Sequence, residues 1–256
     1  MHSIHSDKHP FTRRRLMHLT AAAAGSALLP IRNVTGASLD LDDPWERLTA
    51  LAKLRGSLDS RVVMWWMKGV YYGVVDDVLT PLFGTLIGSF QRLRPEPGKG
   101  FELTMLELSY FTDLKTGAVL DTFTNPYNGK LCQVPEQRLG PLPVLLTPTG
   151  VILPKVPALG EVELTTQVGP AIVQGDDVWI RDDSTVKVDS DHPMMGKHTY
   201  NELVTYQGRL SDINNPDVVS APAYITLLSV TSWREWMQAE GVGGHTTARA
   251  AGAKIS

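Results

Sequence analysis

Between residues 61 and 230 the apolar side chains recur mainly at every second position, the spacing of β-strands rather than of helices. Arg61–Tyr72 places Val62, Met64 and Trp66 on one face and Val63, Trp65 and Met67 on the other, which predicts a strand covered on both sides. Leu79–Phe90 repeats the pattern, with Pro81, Gly84 and Gly88 permitting bends. Phe101–Thr112 alternates cleanly: Leu103, Met105, Glu107, Ser109 and Phe111 share one face, and Thr104, Leu106, Leu108, Tyr110 and Thr112 share the other. Asp113–Gly117 then reads as a turn, Ala118–Thr124 as an antiparallel return, and Asn128-Gly129 as a tight hairpin, so Phe101 onward predicts a three-stranded meander.

The later chain continues in kind. Short apolar runs at Val144–Leu146 and Val151–Leu153, among the prolines of Pro135–Pro157, predict edge or bent strands. Glu161–Val168 and Ala171–Arg181 flank Gly169-Pro170; Asp182–Met195 reads as polar and irregular; Tyr200–Leu210 and Ala223–Val230 complete the strands. Two helices stand apart from this period. Asp43-Pro44-Trp45-Glu46 is a start signal with Asp43 as N-cap and Glu46 as capping-box partner, and Trp45, Leu48, Leu51, Ala52 and Leu54 or Arg55 form an apolar stripe that ends at Gly56. Ser232-Trp233-Arg234-Glu235 is a second capping box, predicting a short helix to about Glu240. The segment after it, Gly241–Ser256, is rich in glycine and alanine, and is either loose or packed back through Ile255. The fold class expected is mainly β: a single antiparallel β-barrel or strongly bent sandwich of about nine or ten strands, with a helix near each end.

Composition changes this picture at the beginning of the chain. Residues 1–37 hold five basic side chains (Lys8, Arg13, Arg14, Arg15, Arg32) against one acidic (Asp7). The other residues carry 19 basic and 26 acidic groups, a net of −7, which disfavours nucleic acid and anionic membranes as partners. Thr12-Arg13-Arg14-Arg15-Leu16 followed by the weakly apolar Leu19–Leu29 predicts an export signal over residues 1–37, with Arg13 and Arg14 as its twin-arginine pair. The implied partner is the twin-arginine export machinery, and the implied location periplasmic or secreted. No run of about 18 apolar residues is present, so no stable membrane span is expected. The single cysteine, Cys132, excludes an internal disulfide and reads as a small buried residue.

At Leu54–Asp59, Lys68–Tyr71, Pro81–Gly84, Tyr110–Lys130 and Trp233–Gly241 the chain resembles the exported family catalogued as domain of unknown function 1838. The resemblance runs in order across residues 38–256 and implies secretion and one β-rich domain. It implies no activity, since that family is known by pattern and not by reaction. The meander also resembles those of lipocalin-like barrels.

Candidate chemistry is sparse. Glu107 lies among apolar neighbours, where a carboxylate needs a cation or a wet cavity. Asp121 alternates with Val119 and Phe123; were the two faces to coincide, Glu107 and Asp121 would form an acid–base pair, and otherwise they are separate carboxylates paired with Lys or Arg. Asp189, Asp191, His192 and His198 share one loop without a zinc or calcium spacing, so no metal is assigned, and the two histidines stand as weak catalytic candidates. Trp65, Trp66, Tyr110, Asn125 and Tyr127 are the candidate ligand-binding residues, offering stacking surface to a small apolar or aromatic molecule; core packing is the competing reading. No nucleophile elbow, Walker loop, dinucleotide fingerprint or H-E-x-x-H occurs, and no cofactor is implied. Two functions follow: a barrel binding a small apolar or aromatic molecule in its interior, or a cofactor-independent lyase, isomerase or hydrolase using a buried carboxylate or histidine there.

Overall fold

A computed structural model describes residues 38–154, 161–189 and 197–255. The leader with Arg13 and Arg14, and His192, lie outside the described residues.

The period-two stretches become one long sheet. Along the chain run α1 (Pro44–Arg55), β1 (Val62–Val75), β2 (Val78–Glu96), β3 (Gly100–Thr112), β4 (Thr122–Thr124), β5 (Leu131–Gln133), β6 (Gln137–Thr147) and β7 (Gly150–Ile152). They are followed by β8 (Glu161–Val168), β9 (Ile172–Gln174), β10 (Asp177–Asp189), β11 (Lys197–Arg209), α2 (Leu210–Asn214), β12 (Tyr224–Thr231), a 3-10 turn at Glu235–Met237, and β13 (His245–Ile255). Ten strands pair in the order β7-β6-β3-β2-β1-β13-β12-β11-β10-β8, every pair antiparallel, and β9 adds to β10. The two ends of that order meet. The Thr166 hydroxyl of β8 accepts from the Val151 N–H of β7 and donates to the Val151 carbonyl at 3.2 Å. The seam is thus held by a side chain where every other junction is a backbone ladder, and the sheet is a nearly closed barrel.

Alternation decides what faces inward. Val63, Trp65 and Met67 of β1, Thr85, Ile87, Ser89, Gln91 and Leu93 of β2, and Ala248 and Ala250 of β13 are all buried. β13 passes between β1 and β12 because its inward positions are small: Gly69 faces Ala250, and a Cβ at Gly69 would lie 2.6 Å from the Ala250 Cβ. The glycine- and alanine-rich segment therefore forms a central strand. The outer side of β1 departs from expectation, since Trp66 is 46% exposed and Val62 58%.

α1 closes one end of the barrel. The Asp43 carboxylate accepts the Trp45 and Glu46 N–H groups at 2.9 Å, as an N-cap should. Glu46 turns to the Asp40 N–H at 2.5 Å, so the capping box is not reciprocal. The helix buries Leu48, Leu51, Ala52, Leu54 and Arg55, while Trp45 is exposed. Lys254, on β13, donates to the Lys53 and Gly56 carbonyls (2.7 and 3.1 Å), satisfying acceptors orphaned at the helix C-terminus.

The other end is covered by the segment expected to form the meander, and here the sequence reading needs correction. The return follows β3 only through the Thr112–Val119 bridge and the Leu120 N–H to Phe111 carbonyl bond, then leaves the barrel. β4 and β5 pair only with each other, around a loop from Asn125 to Lys130 longer than the two-residue turn read from Asn128-Gly129. Phe123 and Cys132 of this hairpin pack with Phe83, Phe111 and Met237, and the Asn125 amide (2.9 Å) and the Cys132 thiol (3.2 Å) both donate to the Met237 carbonyl. Those contacts hold the hairpin over the barrel end instead of beside β3, whose second neighbour is β6. The second capping box yields only the 3-10 turn, with no side-chain cap at Arg234. Asp182–Asp189, read as irregular, continues β10: its inward residues include Asp182 and Ser184 as well as Val186 and Val188, which hides the alternation.

Candidate functional site

Between α1 and the hairpin the barrel holds two adjoining, partly open cavities, of about 170 Å³ and about 230 Å³, which share Arg55, Met105, Glu107, Leu139, Tyr200, Glu202 and Leu227 in their walls. The first is mainly apolar, with Val144, Leu164 and Val186 among its lining. The second reaches toward Tyr71, Gln137, Ser229 and Arg234.

Two glutamates face this space. Glu107 is on β3 and Glu202 on β11; these are the third and eighth strands of the ten-strand order, on opposite sides of the barrel. Both are half-buried by area while lining the cavities, so their accessible surface is cavity surface. Ser109 donates to Glu107 at 3.1 Å. Burial pushes the Glu107 carboxyl up, with Ser109 and Arg234 opposing. Glu202 has no hydrogen bond or ion pair among the described residues, and its carboxyl is pushed up to about 7, first by burial and then by the charges of Glu107 and Asp182, against Arg55.

The α1 side of the site is closed and polar. Arg55 Nη1 donates to Asp182 Oδ2 at 2.6 Å, Arg55 Nε to Gln91 Oε1 at 3.1 Å, and the guanidinium lies 5.6 Å from the centre of the Tyr206 ring. Trp65 Nε1 donates to the Arg55 carbonyl at 2.9 Å and its ring meets Tyr206 edge-on, which fixes the arginine from below. At the hairpin side the Arg234 guanidinium acts on Tyr71, opposing the rise that burial causes in its hydroxyl. Three buried polar atoms of cavity-lining residues have no partner: Asp182 Oδ1, Gln137 Nε2 and Arg234 Nε.

Of the residues singled out from sequence, Glu107 lines the cavity. Asp121 does not join it: this aspartate is exposed, in the bend leading into β4, because the return strand leaves β3 before reaching Glu107. Glu107 faces Glu202 instead. None of Trp65, Trp66, Tyr110, Asn125 and Tyr127 lines either cavity. Trp65 is wholly buried beneath Arg55, Trp66 and Tyr110 point outward, Asn125 is spent on the Met237 carbonyl and the Tyr127 N–H, and Tyr127 packs on Trp233. The backbone of His198 pairs with Val188 at the start of β11. Among the described residues no cluster of three or more His, Cys, Asp or Glu is arranged to hold a metal.

Glu202 carried the same signal in the sequence as Glu107: a carboxylate between Tyr200 and Val204 on one face of an alternating strand. Arg55 and Arg234 gave none, since one read as the edge of a helical stripe and the other as part of a capping box.

The chain matches no curated protein and no solved structure. The pattern of a family described as "Protein of unknown function (DUF1838)" matches residues 59–256, from just after α1 to the end of β13, and with that span of matched sequence the chain belongs to the DUF1838 family.

Proposed function

We propose that the barrel binds a small molecule, apolar over most of its length, inside the space between α1 and the hairpin. The observation that carries the reading is a largely apolar cavity within the barrel whose lining residues include a few with unpartnered polar groups. A dry cavity of about 150 Å³ is enough for a benzene-sized molecule, so the space is adequate for a monocyclic ligand. Glu202, Gln137 and Arg234 are costly in an apolar lumen unless a ligand or water meets them. Mass spectrometry of the purified protein for retained small molecules, followed by thermal-shift screening with aromatic and terpenoid compounds, tests it. A retained molecule or a saturable shift is expected; neither would sink the proposal.

A second reading rests on one observation, the Glu202 carboxyl held near neutrality opposite Glu107. Two carboxyls on opposite sides of a bound molecule are suited to giving and taking a proton, as a cofactor-independent isomerase, lyase or hydrolase requires. Incubating the protein and its retained molecule in heavy water checks this: deuterium enters carbon positions only where a proton is abstracted, and the label disappears in Glu202→Gln.

The work of the barrel is proposed to lie outside the cytoplasm, on the strength of the Arg13-Arg14 pattern. Replacing both arginines by lysine should leave the precursor in the cytoplasmic fraction.

A further inference from the structure

The charged groups around the cavities are unevenly paired. The lining holds three carboxylates, on Glu107, Asp182 and Glu202, and three guanidiniums, on Arg55, Arg138 and Arg234, of which Arg138 and Arg234 line only the second cavity. Arg55 is committed to Asp182 Oδ2 and Gln91, Arg234 acts on Tyr71 and Glu107 from the hairpin side, and Arg138 sits at an exposed position of β6. Glu202 has neither a bonded cation nor a hydrogen-bond donor among the described residues.

Its surroundings collect acceptors. Ser184 pairs with Glu202 and Asp182 with Val204, so Asp182 and Glu202 are diagonal neighbours on the inner face of β10 and β11, at a separation long side chains reach across. Asp182 is 7% exposed, and its Oδ1 has no partner. The rings of Tyr200 and Tyr206 stand on the same face of β11 on either side, and both line the first cavity. A carboxylate without a cation, a second carboxylate with a free oxygen, aromatic rings and an otherwise aliphatic wall are what a cation on an apolar frame requires.

We propose that the ligand of this barrel is a primary or secondary amine on a small apolar frame, with its ammonium group paired to Glu202 beside the Asp182 carboxylate. The inference rests on the ligand-binding reading and narrows it. An alcohol brings a donor but no charge, and a carboxylate ligand adds a like charge to the face that already holds two. A bare calcium ion wants six to eight oxygens, more than this wall offers.

The charged groups that face Glu202 are Glu107 from β3, Asp182 from β10 and Arg55 from α1; Glu202 in turn acts on Tyr71, Tyr200 and Tyr206. An ammonium seated there favours the ionised carboxyl, so binding near neutral pH releases a proton to the buffer.

The test is titration calorimetry at pH 7 of the full chain with three probes of one shape: cyclohexylmethylamine, cyclohexylmethanol and cyclohexanecarboxylate. The amine is expected to bind about tenfold or more tighter than the alcohol, with the carboxylate weakest. Its heat should vary with buffer ionisation enthalpy as proton release requires, and Glu202→Gln should abolish the preference for the amine while leaving the alcohol unchanged. Binding of the alcohol as tight as that of the amine, or a carboxylate that binds best, would overturn the inference in the unaltered protein and leave the cavity reading standing. Failure of all three probes, with no retained molecule and no hit in an apolar library, would remove the cavity reading as well.

Discussion

Asp182 and Glu202 sit one diagonal step apart on the same inner face, and their situations differ in one respect: Asp182 has Arg55 and Glu202 has no cation of its own. The first is a buried pair fixed from three sides, by Gln91, by the Tyr206 ring and, through the Arg55 carbonyl, by Trp65. The second opens onto the cavity. A carboxylate that the fold neutralises belongs to the architecture, and one left with only repulsive neighbours and a distant attraction is available to something else.

That contrast breaks first at Arg55. Arg55→Met leaves Asp182 buried without its cation, and equilibrium urea unfolding should show a loss of about 3–5 kcal/mol. Adding Asp182→Leu to the same chain should recover most of it, because an apolar pair of similar volume costs little where a lone charge costs much. Glu202→Gln should do the reverse. The folded carboxyl at about 7 lies above its unfolded value, so the proton it retains favours the native state at low pH, and that stability is lost as pH rises from about 4.5 through 7. The amide removes this loss. At pH 8 the variant should be more stable than the parent by up to about 3 kcal/mol, and near pH 4 the two should be indistinguishable. The smallest effect is expected away from both carboxylates, at the seam. Thr166→Val removes the hydroxyl that bonds the Val151 amide and carbonyl, costing about 1 kcal/mol and speeding hydrogen exchange at the Val151 amide without altering the pH profile.

Much of the barrel was readable because long stretches of its inward face are apolar. Leu103, Met105 and Phe111 on β3 alternate as a half-buried strand must, whereas β1, apolar on both faces in sequence, leaves its outer Val62 and Trp66 exposed. The reading failed where polar residues point inward. Asp182 and Ser184 made β10 look irregular, although they line the lumen in step with Val186 and Val188. Glu107 was legible as a carboxylate needing a reason, but its partner was sought in the next strand along the chain, at Asp121. Barrel closure instead sets it against a strand some hundred residues later, and period-two alternation carries no information about which strands oppose one another across a lumen. Arg55 and Arg234 were hidden for a related reason: each enters from the end of the barrel on a segment whose local pattern speaks only of helix starts and stops.

The place of β13 also sets when this molecule can fold. Its register joins Met64 to Ile255 and Val74 to His245 on one side and Tyr224 to Ala253 on the other. A nascent chain that has not yet produced residues 245–255 therefore presents β1 and β12 as two open edges, each with a row of unpaired backbone groups. Joining them depends on contacts between strands far apart in sequence, Met64 with Ile255 for example, the kind that makes folding slow and leaves strands exposed to misassociation while it proceeds. On this side the barrel is completed by its longest-range pairing, once residues 245–255 have been made, and not strand by strand as the chain emerges.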